Sequence, residues 1–202
     1  MKLNILVAGC LFTAAVAMPA AAETIVYTAN LNGPNEEPPN TSPALGTATV
    51  TIDTELRTMR VQESFSGLVA DTTASHIHCC TEVANTGLAG VATAMPAFPG
   101  FPLGVRAGNY DSRASNMTDF DMTDASNYNA PFLAANGGLP VNAFNTLVAG
   151  LDSGHAYANI HTSMFPGGEI RGFLAPIPEP ETYAMLLAGL GLLSVMARRR
   201  RV

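Results

Sequence analysis

The chain has no tryptophan, three cysteines and one lysine, Lys2, among its 202 residues. Residues 23–176 contain five arginines and no lysine against fourteen acidic residues, so the formal charge of this region is near −9. Such an acidic region does not displace counterions from a nucleic acid, which excludes nucleic acid as a partner. The same charge favours solubility and the attraction of cations.

Two of the three cysteines are adjacent, Cys79 and Cys80, while Cys10 lies in the N-terminal apolar stretch. Neighbouring Cα atoms are about 3.8 Å apart across a trans peptide, below the ~4.4 Å minimum of an ordinary disulfide. A structural disulfide of ordinary geometry between these two residues is therefore excluded. A strained vicinal disulfide, a bridge to another chain, a metal site and free thiols all remain open.

Motifs of the common enzyme classes are missing as well. The sequence has no nucleophile elbow, P-loop, H-E-x-x-H or dinucleotide fingerprint. Ser153 and His155 are close in sequence, but spacing alone does not make a catalytic triad. We therefore predict no catalytic residues, and an enzyme of unknown type is the weakest alternative.

Residues 177–202 have the order of a membrane-sorting tail. An apolar segment without charges, residues 183–197, is followed by four arginines: Arg198, Arg199, Arg200 and Arg201. As a helix the segment would rise about 22 Å, so it spans a bilayer only where the membrane thins or the arginines snorkel. The arginines predict a cytoplasmic C-terminus. A buried amphipathic helix is the alternative, but the apolar residues surround the segment and form no stripe.

Just before the apolar segment lie Pro178, Glu179 and Pro180. This order of Pro-Glu-Pro, apolar segment and arginine cluster resembles the PEP-CTERM sorting signal of Gram-negative bacteria. The resemblance implies insertion in the inner membrane with the upstream domain on the periplasmic side. It also implies cleavage near Pro178–Pro180 by an exosortase-type protease and delivery to the cell surface or beyond.

The first 22 residues predict a secretory signal peptide. Lys2 precedes an apolar stretch at 3–18, and small residues, Ala20 and Ala22, form the cleavage site. A lipoprotein signal ending at Cys10 is the alternative, but the apolar stretch continues well past that residue. The sequence therefore predicts three parts: a signal peptide at 1–22, an exported domain at 23–176 and a sorting tail at 177–202.

The exported domain has the pattern of an all-β protein. Short segments of alternating apolar residues are separated by turn-forming residues, which indicates an antiparallel sandwich or barrel. Of the two we predict a β-sandwich with Greek-key-like connections. The predicted strands are 24–31, 46–53, 59–65, 74–80, 90–94, 114–122, 155–162 and 169–174. One or two short helices are predicted within 124–150, one ending at Asn136 and one at 142–149.

Four separated blocks resemble the chordin-type (CHRD) domain. They are A-N-L-N-G-P-N-E-E-P-P at 29–39, F-S-G-L at 65–68, A-S-H-I-H at 74–78, and the closing hairpin at 157–174. The resemblance spans roughly 24–174 and implies an extracellular β-rich module without a known reaction. The chain departs from a common version of the pattern at Cys79, where a glycine usually follows His-Ile-His, and the region 95–150 is long for the family.

His76 and His78 are the first candidates for chemistry. Residues i and i+2 of a strand point to one face, about 6.6 Å apart along it. The predicted closing hairpin places His161 on its outward face, and Cys80 follows as a fourth, soft ligand if the strand continues. This mixture favours copper or zinc over calcium. The alternative is that the histidines hydrogen-bond backbone carbonyls or Glu169 and lock the sheet.

Other polar groups are interpreted as structural. Glu169 and Arg171 are predicted to form an exposed ion pair, worth about 0–1 kcal/mol. The acidic run at 111–124 lacks calcium-loop spacing. Asn35 to Glu37 is interpreted as a rigid connection, with the binding of a cation or a partner as the alternative. Four histidines in all are too few for the bridged two-metal site of a Cu/Zn superoxide dismutase.

Two functional hypotheses follow from the sequence. The first is a non-catalytic, exported β module that binds an extracellular ligand or partner at the cell surface or in the extracellular matrix. The second is a periplasmic or extracellular metal-binding or redox protein that uses the His-x-His strand.

Overall fold

The computed structural model of the chain describes residues 24–116, 118–178, 187, 189–191 and 193. The predicted signal peptide, Glu179, Pro180, most of the segment 183–197 and the four C-terminal arginines lie outside the described residues. Within the described part, no helix has the length and apolar character needed to cross a membrane.

Nine strands of the described chain form one antiparallel sheet. They are β1 (Thr24–Asn32), β2 (Leu45–Asp53), β3 (Thr58–Ser66), β4 (Thr72–His78), β5 (Gly108–Asp111), β6 (Phe120–Asp121), β7 (Tyr157–Thr162), β8 (Ile170–Phe173) and β9 (Ala175–Pro176). The order is β4-β7-β8-β1-β2-β3-β5, with β6 paired to β3 and β9 paired to β1. The mostly β, antiparallel fold is confirmed.

The sheet curls until distant strands meet. Ser75 on β4 donates a hydrogen bond of 2.7 Å to the buried carboxylate of Glu63 on β3, although four strands separate β4 from β3 in the sheet order. The described strands therefore form a single curled sheet, where the sequence predicted a sandwich of two sheets.

Alternation in the first three strands decides which face is buried. Tyr27, Ala29 and Leu31 of β1 are buried, and their register partners on β2 continue the same apolar face. The β1–β2 and β2–β3 ladders each pair nine residues without a bulge. This part of the sheet agrees with the prediction, because its pairing is local in sequence and its alternation is regular.

Two helices occur within 124–150, where the sequence predicts them, with different bounds, and a third, unpredicted one precedes them. The helices are α1 (Ser112–Asn116), α2 (Ala130–Ala135) and α3 (Pro140–Asp152). Asp124 caps a short 3-10 turn, Ala125–Asn127, instead of a long helix, and α2 begins only after it. Gly137 and Gly138 have φ angles of 75° and 72° after α2, a conformation that suits glycine at a helix end.

Two predicted strands are wrong. The segment 114–122 instead contains the end of α1 and the two-residue strand β6, and 90–94 forms only isolated bridges through Val91 and Thr93. Ala92, Phe120 and Met122 of these segments are buried in the core, so contacts with distant residues determine their conformation. Helix α3 fills the core by burying Phe144, Leu147 and Leu151 in the same apolar cluster as the inner face of the sheet.

Candidate functional site

The pairing of β4 with β7 gathers polar side chains on one face of the sheet. His76 is the register partner of Asn159, and His78 is the partner of Tyr157. His161 lies two residues after Asn159 on β7, so its side chain lies on the same face of the sheet. The opposite face carries Ile77 in the core, as the sequence predicts. This alternation brings three histidines to one place.

The three histidines form a compact buried cluster. His76, His78 and His161 are 3%, 9% and 7% exposed. Each ring offers one nitrogen to a group whose atoms all lie within 4.8 Å of one another. The ring centroid of His76 is 4.7 Å from that of His78 and 4.6 Å from that of His161. A small movement of the rings would bring all three within reach of one ion.

Backbone carbonyls orient two of the three rings. His78 Nδ1 is 2.8 Å from the Ala89 carbonyl oxygen, and His161 Nδ1 is 3.0 Å from that of Pro166. A carbonyl only accepts, so each Nδ1 carries the hydrogen and each Nε2 keeps its lone pair. Both Nε2 atoms, and Nδ1 of His76, are buried without a hydrogen-bond partner. Ligating histidines in metal sites are oriented in the same way.

Burial keeps the cluster neutral. It lowers the pKa of His76 to about 3, with a further contribution from the neighbouring His161 and His78. The pKa of His78 falls to about 4, chiefly through burial, and that of His161 is lowered for the same reason. A neutral imidazole has a free lone pair, so all three rings are able to bind a metal ion at neutral pH.

Cys80 does not join the histidines. Its sulfur is bonded to that of Cys79, and among the described residues the group with metal-ligand spacing consists of the three histidines. The Cys79–Cys80 peptide is cis, with Cα atoms 3.0 Å apart. With a trans peptide, the sequence leaves a vicinal disulfide as one of four alternatives, and the structure contains that disulfide.

The prediction of an exposed Glu169–Arg171 pair is wrong. Both residues are buried, because β8 lies between β7 and β1 in the sheet. Glu169 accepts hydrogen bonds of 2.6–2.8 Å from the Ser42 hydroxyl, the Val69 amide and the Thr162 hydroxyl. These donors satisfy both of its oxygens, and the carboxylate joins three segments of the chain.

Arg171 instead links the loop at residues 35–37, called the opening loop below, to the histidine cluster. Its guanidinium donates to the carbonyls of Asn35 and Gly87, and it lies 3.4 Å from a carboxylate oxygen of Glu37. It also lies over the ring of Tyr157, 4.8 Å from the centroid. The sequence interpretation of 35–37 as a rigid connection missed that this loop covers the polar face.

Two further polar atoms near the cluster are buried without partners, Oε1 of Glu36 and Oδ1 of Asn159. Both lie within 2.7 Å of the position that a β-carbon would take at Gly168. Burial raises the pKa of Glu36 to about 7, although the charge of Arg171 opposes this rise. The polar face thus combines neutral histidines with a carboxyl group that titrates near neutrality.

Comparison with known families agrees with the resemblances in the sequence. The model of the PEP-CTERM protein-sorting motif matches residues 176–201, which supports an exported, membrane-associated cell-surface protein. Searches of curated proteins and of solved structures return no match. The model of the CHRD domain matches residues 27–174, more than half of the chain, and the protein therefore belongs to the CHRD domain family.

Proposed function

We propose that this exported CHRD domain is a non-catalytic binding domain whose ligand is a transition-metal ion, copper or zinc. His76, His78 and His161 would hold the ion. One observation carries the proposal: three buried histidines meet with one ring nitrogen of each within 4.8 Å of the others, and each ring keeps one nitrogen without a hydrogen-bond partner.

The donor set selects the class of metal. Imidazole nitrogens suit zinc and copper, whereas calcium and magnesium need oxygen ligands. Three protein ligands are typical of metal sites that keep one coordination position open for water or another ligand. The proposed site would therefore bind an ion and still exchange the ligand at its open position.

A purely structural role for the histidines explains fewer of their buried ring nitrogens than metal binding does. His78 and His161 each use one nitrogen to hydrogen-bond a backbone carbonyl, which fits a role in locking the sheet. Each nevertheless keeps its other nitrogen buried and unpaired, as does His76. An unsatisfied buried polar group costs about 1–3 kcal/mol, so three of them oppose folding unless a ligand occupies the site.

The sorting tail indicates where in the cell the domain would bind its ion. We infer a mature domain at 23–176 that the tail holds at the inner membrane, with the domain on the periplasmic side. An exosortase-type protease would then cut near Pro178–Pro180 and release the domain to the cell surface or the extracellular matrix. Any further extracellular partner would meet the domain there, with or without its metal ion.

Metal analysis of the full chain tests the proposal. The protein, produced with its own leader and purified in mild detergent, is equilibrated with copper or zinc and then analysed by elemental mass spectrometry. We expect one ion per chain, lost in the double variant His76→Ala/His78→Ala. The matched control is His155→Ala, because His155 bonds the Thr81 carbonyl outside the cluster and its loss should leave binding unchanged. A folded wild-type chain without metal would contradict the proposal.

A further inference from the structure

The Cys79–Cys80 disulfide follows His78 directly, and its two halves differ in exposure. Cys79 is 4% exposed and belongs to the apolar core, whereas Cys80 is at the surface. A disulfide stabilises a protein mainly by closing a loop in the unfolded chain, and longer loops give more stabilisation. Adjacent residues close the smallest possible loop, so stabilisation of the fold does not explain this disulfide.

Helix α3 packs directly against both sulfur atoms at Gly150. A β-carbon at that position would lie 2.7 Å from the sulfur of Cys80 and closer still to the sulfur of Cys79. The helix therefore leaves room for the bonded pair and little more. Two separate thiols no longer share a bond and need more space, and only the exposed Cys80 side chain has solvent to move into.

The same segment of the chain holds the disulfide and a histidine of the cluster. The Cys79 amide donates a hydrogen bond of 3.0 Å to the carbonyl of Gly90. The carbonyl of the preceding residue, Ala89, orients the ring of His78 at 2.8 Å. A displacement of Cys79 therefore also moves the neighbouring Ala89 carbonyl. Because this carbonyl holds Nδ1 of His78, it leaves Nε2 of the same ring free to bind a metal ion.

We propose that the Cys79–Cys80 disulfide is an exchange site for an external dithiol, and that its redox state sets how tightly the three histidines hold their ion. A thiolate of the dithiol attacks the exposed Cys80 sulfur, the S–S bond breaks, and Cys79 leaves as a thiolate that takes up a proton. The second thiol of the dithiol then attacks the mixed disulfide and releases the Cys80 thiol. The dithiol is oxidised to a disulfide, and the pair in the protein gains two electrons and two protons. Only the effect on the metal ion rests on the proposed function.

The exchange step is tested first, without metal. The native full chain is treated with glutathione, digested with trypsin, and the peptide 61–106, which contains both cysteines, is fragmented in a mass spectrometer. We expect the glutathione on Cys80, and we expect dithiothreitol followed by N-ethylmaleimide to label both residues. Glutathione on Cys79, or a native chain that reacts only after denaturation, would overturn the proposal.

The effect on the cluster is tested by the affinity for zinc. The oxidised wild type is compared with Cys79→Ser/Cys80→Ser, which has neither the bond nor a sulfur ligand. Loss of an orienting contact to a ligating histidine typically weakens metal binding roughly 10- to 100-fold, and we expect a loss of this size. Wild-type protein that has been reduced and capped with iodoacetamide is measured as well, so the result does not depend on the folding of the variant.

Equal zinc affinity in the oxidised and in both disulfide-free proteins would contradict the coupling. An oxidised wild type that binds no zinc would instead contradict the proposed function, while the glutathione experiment would still decide whether the disulfide is an exchange site.

Discussion

The ring of His78 stacks on the ring of Tyr157, with centroids 4.6 Å apart and planes inclined by 7°. Because Arg171 lies over the same tyrosine, the guanidinium, the phenol and the imidazole form a continuous contact from the opening loop to the histidine cluster. The Tyr157 hydroxyl also accepts a hydrogen bond of 3.3 Å from the Ala89 amide, and the Ala89 carbonyl orients His78. The tyrosine thus supports His78 from two directions.

Removal of this support should weaken metal binding. Tyr157→Phe keeps the ring and loses the hydroxyl, so we expect a small loss of zinc affinity. Tyr157→Ala removes the stacking surface, and we expect the 10- to 100-fold loss typical of an outer contact to a ligating histidine. Isothermal titration with zinc measures both. Tyr128→Phe, whose hydroxyl bonds the Met122 carbonyl away from the cluster, is the control and should bind like the wild type.

The buried histidines should make the metal-free protein sensitive to acid. The pKa values of His76 and His78 in the folded state, about 3 and about 4, lie below the ordinary value of 6.5. As the pH falls below 6.5, these histidines take up protons in the unfolded chain but stay neutral in the folded one. Proton binding therefore favours the unfolded chain, and the free energy of unfolding decreases. Between pH 7.5 and pH 5 we expect a loss on the order of 2 kcal/mol for each residue.

Urea unfolding of the metal-free chain at the two pH values measures this loss. His76→Ala/His78→Ala should show a much weaker dependence on pH, because the groups that titrate differently in the two states are gone. A variant with the same pH dependence as the wild type would assign the acid sensitivity to other residues.

Glu63 should give the opposite dependence. It is buried, and burial raises its pKa to about 7, although the hydrogen bond from Ser75 opposes the rise. A raised pKa of an acid means that stability is present below pH 4.5 and is lost as the pH rises through about 7. Glu63→Gln removes the ionisable group, and we expect it to be more stable than the wild type at pH 8 by about 1–3 kcal/mol.

The exposed carboxylate of Glu55 supplies the matched control for this prediction. Glu55→Gln should change the free energy of unfolding at pH 8 by no more than about 0.5 kcal/mol. If Glu63→Gln is less stable than the wild type at pH 8, the carboxylate has a stabilising partner and the account of its burial is wrong.

Gly150 should tolerate no side chain while the disulfide is present. Gly150→Ala places a methyl group against both sulfurs, and such overpacking costs about 1–3 kcal/mol. In the background Cys79→Ala/Cys80→Ala the methyl group has room, and alanine in a helix is about 1 kcal/mol better than glycine. Unfolding of the four chains gives a double-mutant cycle. Equal effects of Gly150→Ala in both backgrounds would contradict the contact.

The sequence predicts those parts of the fold and site that depend on local pattern. Alternation places Tyr27, Ala29 and Leu31 in the core, and the i,i+2 spacing of His76 and His78 puts them on one face. The burial of Glu63 and Arg171 depends on strands and loops distant in sequence, so no local pattern indicates it. The sequence leaves a disulfide between Cys79 and Cys80 as one of four alternatives, because it does not indicate that their peptide is cis.

X-ray absorption of the zinc- or copper-loaded full chain tests the central claim most directly, because the spectrum reports which atoms surround the ion. We predict three imidazole nitrogens at about 2.0 Å and no sulfur, in agreement with a cluster of His76, His78 and His161 from which Cys80 is excluded. A first shell made only of oxygen, or one that contains sulfur at about 2.3 Å, would contradict the account.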